Sequence, residues 1–267
     1  MSASTATRPL ETGWLPDTPI EDSLLRRFLA NQADAQTAHV TAIGGRASQS
    51  DDVALSDTGL PLDYLNMAVL HRPVLDAHDP VLASIESFYD SVARPGVMLS
   101  AWPTPDLGAR GWHLVGHPMF LVRGPSPVAL PGPGVEVHSA RTAADLALIE
   151  RIVADGYPMP ELTAHGPNAV LGAALLEGPL RYVIGSVDGL AVSAAAAHVA
   201  HGVVNLCMAA TLPAARRRGV WRALVAARCA AAPELPTVAF SSDYSRPGFI
   251  AMGFLPVTRF TLWARPA

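Results

Sequence analysis

The sequence predicts an α/β protein of two related halves, each a mixed twisted sheet flanked by helices. Three observations carry this. Strand-like and helix-like apolar stretches alternate from Val135 to the C-terminus. A junction at Thr211–Val225 passes from an apolar strand through an arginine-rich turn into a helix. The chain also repeats itself weakly at an offset of 142 residues, Ser242 lying opposite Ser100.

Taken in order, residues 1–20 carry Pro, Ser and Thr without periodicity and read as a loose arm. From Ile20 to about Val40, Leu24, Leu25, Phe28, Leu29 and Ala33 fall at helical spacing. Ile43–Asp57 reads as a loop and a short strand, Leu62–His71 as an apolar stretch, Val81–Val92 as a helix and Gly96–Trp102 as a strand. The Pro- and Gly-rich segment Pro125–Gly134 is the clearest linker, so the expected division is a half at 21–124, a linker at 125–134 and a half at 135–267.

In the second half, strands are expected at Val135–Ser139, Arg181–Val187, Ala191–Val199 and His201–Thr211, with a helix from Ala143 to about Ala154. The helix after Gly219 should end before Pro233. A strand (Val238–Ser241), a short helix (Pro247–Met252) and a final strand (Val257–Arg265) close the chain, the last with an edge that could pair across a homodimer.

The repeat sets Ser100, Trp102, Pro105, Gly111, Trp112, Val115 and Arg123 opposite Ser242, Tyr244, Pro247, Gly253, Phe254, Val257 and Arg265. Identities are few, but the order strand, proline, helix, Gly-aromatic, strand is shared. The first half has no counterpart of the arginine turn and is expected to hold no cofactor.

Composition narrows the function. The chain has 267 residues, half of them hydrophobic and only 16% charged, enough to bury a sizeable core. A net charge of −4 argues against a nucleic-acid or anionic-membrane partner. All 19 basic residues are arginine, which excludes Schiff-base chemistry on lysine. Cys207 and Cys229 have no metal spacing and read as free buried thiols in a reducing compartment. No metal is expected from the nine histidines. The N-terminus lacks an apolar signal core, and the longest weakly polar run, Gly189–Ala200, falls short of the roughly 20 residues a bilayer needs. A cytoplasmic protein is expected.

A strand–turn–helix junction gathers unpaired backbone N–H groups at one spot, which suits a pyrophosphate, and a glycine there lets the ligand approach. Arg216, Gly219 and Trp221 occupy the first, middle and last places of an Arg–x–x–Gly–x–small turn, and Pro247–Phe254 ends in Gly253-Phe254. Together these resemble the cofactor half of the GNAT superfamily of N-acetyltransferases, in a tandem form with a degenerate N-terminal half. The resemblance implies that the backbone of Ala209, Ala210 and Thr211 pairs with the pantetheine arm of coenzyme A. It also implies that the N–H groups of Arg217, Arg218, Gly219, Val220, Trp221 and Arg222 hold the pyrophosphate, assisted by Arg216.

Two departures stand out. Trp221 takes a place that is usually small, and Phe249 stands where the family's proton-donating tyrosine sits; a phenyl ring has no proton to give. Tyr244 and Ser245 are then the nearest candidate acids. For a base, the strand Val203–Thr211 offers no carboxylate, which leaves His198, His201 and Glu161, the last in the loop expected to meet the acceptor. The acceptor pocket is expected between the halves, lined by Tyr157–Thr163 with Trp102 and Trp112. The implied activity is transfer of an acetyl group from acetyl-CoA to a small amine. A non-catalytic coenzyme A sensor, an aminoacyl-tRNA-dependent transferase and other thioester chemistry are the alternatives.

Overall fold

The computed structural model describes residues 23–128 and 134–267. The N-terminal arm and residues 129–133 of the linker lie outside these. The chain opens on helix α1 (Leu24–Ala42), capped by the Ser23 hydroxyl, which accepts from the Arg26 N–H. Phe28, Gln32, Ala35 and His39 form its buried stripe. Then come β1 (Arg46–Gln49), β2 (Val53–Asp57), β3 (Met67–Leu70), α2 (Pro80–Asp90), β4 (Gly96–Ser100), β5 (His113–Gly116) and β6 (Met119–Arg123). The loop and short strand expected at 43–57 are a two-stranded hairpin: β2 is the expected strand, and the expected loop contains β1, polar because it is an exposed sheet edge.

The second half runs β7 (Val135–Ser139), α3 (Ala143–Gly156), β8 (Leu180–Val187), β9 (Leu190–Ala200), β10 (Val203–Thr211), α4 (Val220–Cys229), β11 (Thr237–Ser241), α5 (Arg246–Ile250), β12 (Leu255–Arg259) and β13 (Thr261–Arg265). A capping box between Thr142 and Asp145 starts α3. The single expected last strand is two strands, broken at Phe260.

The strands form two mixed sheets, β1-β2-β3-β4-β13-β5 and β12-β6-β11-β10-β9-β8-β7. Each half gives its last strand to the other. β13 inserts antiparallel between β4 and β5, and β6 inserts antiparallel between β11 and β12. Of the strand expected to pair across a dimer, the β13 part is therefore an inner strand, while β12 stays at the edge of the seven-stranded sheet. At the crossing the Phe260 N–H donates to the Pro118 carbonyl and Arg259 to the His117 carbonyl, at 2.9 and 2.7 Å. The donor and acceptor residues of each bond are 142 positions apart, the repeat offset. Phe28, Phe120 and Phe260 pack there with ring centroids 5.2–5.3 Å apart.

The repeat is also legible in backbone conformation. Gly111 and Gly253 both close a short helical turn in the left-handed region, at φ +82° and +84°. Each precedes a fully buried aromatic, Trp112 and Phe254. Trp112 donates to Glu86 within the first half's core, so it does not line a pocket between the halves.

Candidate functional site

Strands β10 and β11 are parallel neighbours for only two residue pairs, Val204–Thr237 and Asn205–Val238. Beyond them β10 runs on to Thr211 without that partner, so the two strands part and leave a cleft. Within this free stretch the pairing with β9 slips between Cys207 and Ala209, a β-bulge with Met208 as the extra residue at φ +25°. Such strained backbone costs about 1–3 kcal/mol and clusters at functional sites.

The turn lies at the far end of β10. Gly219 caps α4 at φ +85°, a conformation that an L side chain resists. The backbone N–H groups of Arg217, Arg218, Gly219, Val220, Trp221 and Arg222 meet no acceptor among the described residues. Six orphan donors at one exposed helix start make an anion cradle. The arginine side chains divide their duties. Arg216 turns inward, donating to the carbonyls of Gly156 at 3.0 Å and Thr211 at 3.3 Å, and so ties α3 to the end of β10. Arg218 pairs with Asp188. Arg217 and Arg222 are exposed.

Trp221 faces away from the cradle. Its ring packs edge-on against Phe249, centroids 4.8 Å apart, and a Cβ on Gly248 would come within 2.8 Å of it. Trp221 and Phe249 thus close the gap between α4 and α5, and Phe249, only 6% exposed, is a core residue. An indole is tolerated in the turn because Gly248 leaves room for it.

The expected acids and bases are scattered. Tyr244 is fully exposed, and the Ser245 hydroxyl bonds Ser242. Glu161 is exposed on a single helical turn, Pro160–Thr163. His198 is buried on β9 with Nδ1 3.0 Å from Asn31 Oδ1 of α1, and His201 pairs with Asp34. Burial holds the His198 imidazole below the usual histidine range. These groups anchor α1 to the second sheet and do not converge on the bulge.

What does reach the cleft is Tyr157, the residue that ends α3. Its hydroxyl donates to the Ala209 carbonyl beside the bulge at 2.5 Å, while half the residue remains exposed. Desolvation raises its pKa above the ordinary phenol value, so it stays protonated. Sequence reasoning placed Tyr157 in the pocket wall but gave it no proton, because the bond spans 52 residues. The Cys207 thiol, pushed up to about 12 by burial, is held as the neutral thiol. The loop after Tyr157 is fixed by a group the sequence did not single out. Glu150, buried on α3, accepts from the N–H groups of Asn168, Val170 and Leu171 at 2.5–2.8 Å.

The equivalent place in the first half is differently built. Between β3 and α2 the helix start carries Pro80, which has no N–H, and Asp79, whose carboxylate accepts from the Val81 N–H. Arg72 grips Asp79 and Asp52, holding the Asp79 carboxyl down at about 2. A carboxylate already fills the spot an anionic ligand would need. Among the described residues no cluster of His, Cys, Asp and Glu could hold a metal ion, and no helix is long and apolar enough to cross a membrane.

No family model matches the sequence, and no curated protein sequence does so significantly. Solved structures do match in fold. A GCN5-related N-acetyltransferase from Kribbella flavida aligns over 88% of this chain and 95% of its own, at 20% identity and a TM-score of 0.59. A conserved Staphylococcus epidermidis protein of unknown function aligns over 84% of this chain and 95% of its own, at 11% identity and a TM-score of 0.61. A tandem GNAT protein of the clavulanic acid pathway aligns over 90% of this chain and 94% of its own, at 12% identity and a TM-score of 0.54. At these identities the shared property is the fold.

Proposed function

We propose, for a chain with the GNAT fold in two halves, that it is an acyl-CoA-dependent N-acyltransferase of the cytoplasm. It moves an acetyl group from acetyl-CoA to a small amine. The observation that carries this reading is the run of six unpartnered N–H groups, Arg217–Arg222, at the end of a strand that has parted from its neighbour. The cradle takes the pyrophosphate, and the free edge of β10 guides the pantetheine arm toward the bulge. The second half alone binds the donor, since Asp79 and Pro80 occupy the first half's equivalent helix start.

The chemistry follows from position. The neutral amine attacks the thioester carbon; a C–N bond forms, and the nitrogen gives its extra proton to solvent. The C–S bond breaks with its electron pair leaving on sulfur, and solvent later restores the proton that Tyr157 gives up. An N–H at the bulge, left out of the ladder, faces the carbonyl oxygen as charge grows on it. Tyr157, protonated and bonded beside the bulge, returns a proton to the leaving thiolate and so takes the part that Phe249 cannot.

Calorimetric titration with coenzyme A and acetyl-CoA tests the reading. Micromolar binding that Gly219→Glu weakens by at least about 100-fold is expected, since a carboxylate would sit on the cradle and strain a left-handed backbone. No binding up to millimolar concentration removes the acyltransferase assignment. A second reading, a coenzyme A sensor without turnover, is favoured by the Trp221–Phe249 plug between α4 and α5. Binding without product from a panel of amines would select it. Product from charged tRNA without coenzyme A would select a tRNA-dependent donor.

A further inference from the structure

Arg228, on the last turn of α4, is 1% exposed and has no carboxylate within ion-pair distance among the described residues. Its Nε donates to the Leu224 carbonyl at 3.0 Å. Its Nη1 donates to the carbonyls of Ala196 and Cys207, both at 3.1 Å. Those two residues are paired across β9 and β10 at the edge of the bulge. Nη2 is buried and bonds nothing among the described residues. A buried cation with no counter-ion and an idle donor is costly, and a neutral donor could have satisfied the same carbonyls. Arg123, the other arginine buried among the described residues, spreads its three nitrogens over four carbonyls. Burial draws the Arg228 pKa down only to about 10, so the charge persists at neutral pH.

We propose that Arg228 is a positioning residue for the transfer reaction: its cation, held at the bulge through Ala196 and Cys207, polarises the carbonyl of a thioester lying against β10. This rests on the acyltransferase reading above. Arg228 gives up no proton. It favours the negative charge that builds on the carbonyl oxygen as the amine attacks, and the charge is relieved when the C–S bond breaks.

The test uses the full chain and acetyl-CoA carrying ¹³C at the acetyl carbonyl, read by isotope-edited infrared difference spectroscopy, with coenzyme A affinity measured alongside. On the wild type the carbonyl band should move to lower frequency than in solution. Arg228→Met and Arg228→Gln should lose most of that shift while keeping coenzyme A affinity within about threefold. Arg228→Gln retains an amide donor for the two carbonyls should Arg228→Met fail to fold, and Arg228→Lys should keep the shift. An unshifted band in the wild type, or an equally shifted band in Arg228→Gln, overturns the inference and leaves the acyltransferase reading standing. A matching loss of coenzyme A affinity would make Arg228 merely structural and also overturns it. Failure of the wild type to bind acetyl-CoA removes both.

Discussion

At Tyr157 the chain supplies a hydroxyl to a strand edge that its C-terminal motif, with Phe249, leaves without one. Tyr157→Phe removes one oxygen and keeps the ring. We expect acetyl transfer to fall about 100-fold with KM for acetyl-CoA within about twofold, because a proton donor acts on the leaving group. An unchanged kcat would exclude Tyr157 as the donor. Histidines make a different prediction. His39, which bonds the Val170 carbonyl at 2.8 Å, and His198 are held neutral by burial, their folded pKa values below the 6.5 of the unfolded chain. Above about pH 6.5 neither costs anything. As pH falls below it, the unfolded chain takes up protons the folded chain refuses, and stability drops. The paired carboxylates, such as Asp79, add stability above 3.8 that is lost only as pH falls toward about 2. A Tm that declines between pH 6.5 and 5, with a smaller decline in His39→Gln, is the expected result of thermal scans. The alternation of β9 and β10 could place His198 on a strand, but nothing local pointed to Asn31 on α1 as its partner, 167 residues away.

At the scale of elements, the cradle was legible because it is local. Gly219, the arginines and the helix after them lie within one short segment whose backbone conformation follows from residue type. Helix α3 was expected too, from Ala143 to about Ala154, but its cargo was not. Glu150 looks like a surface acid in a helix and is instead 3% exposed, holding the loop that follows Tyr157. Glu150→Ala strands three loop N–H groups, two of them in buried bonds, so we expect a loss of about 3–5 kcal/mol in denaturant unfolding. A change under about 1 kcal/mol would show that the loop does not depend on the carboxylate. The division of the last strand at Phe260 escaped periodicity for a plain reason. Both pieces are β-structure, and only their membership in different sheets separates them.

For the molecule as a whole, exchange of β6 and β13 makes the two halves mutually dependent. The core at the crossing mixes Phe28, Val97 and Leu99 with Val203, Val238 and Phe260. Deleting residues 261–267 should therefore strip amide protection from β4 and β5, more than 140 positions distant in sequence, sooner than from β8 and β9. Hydrogen exchange read peptide by peptide checks this. Loss confined to the second half's own sheet would contradict the exchanged arrangement.

By itself the sequence determined the α/β class, the two-halved plan, the place of the turn and its glycine. These rest on apolar periodicity, on residues that fix their own backbone, and on a repeat strong enough to survive with few identities. Tertiary structure alone decided which sheet receives each final strand, that Trp221 turns toward Gly248, and that Tyr157 and Arg228 meet β10 on either side of its bulge. Those outcomes depend on contacts between residues far apart in the chain. The energies involved belong to burial and to unpaired polar groups, which no local pattern of residues encodes.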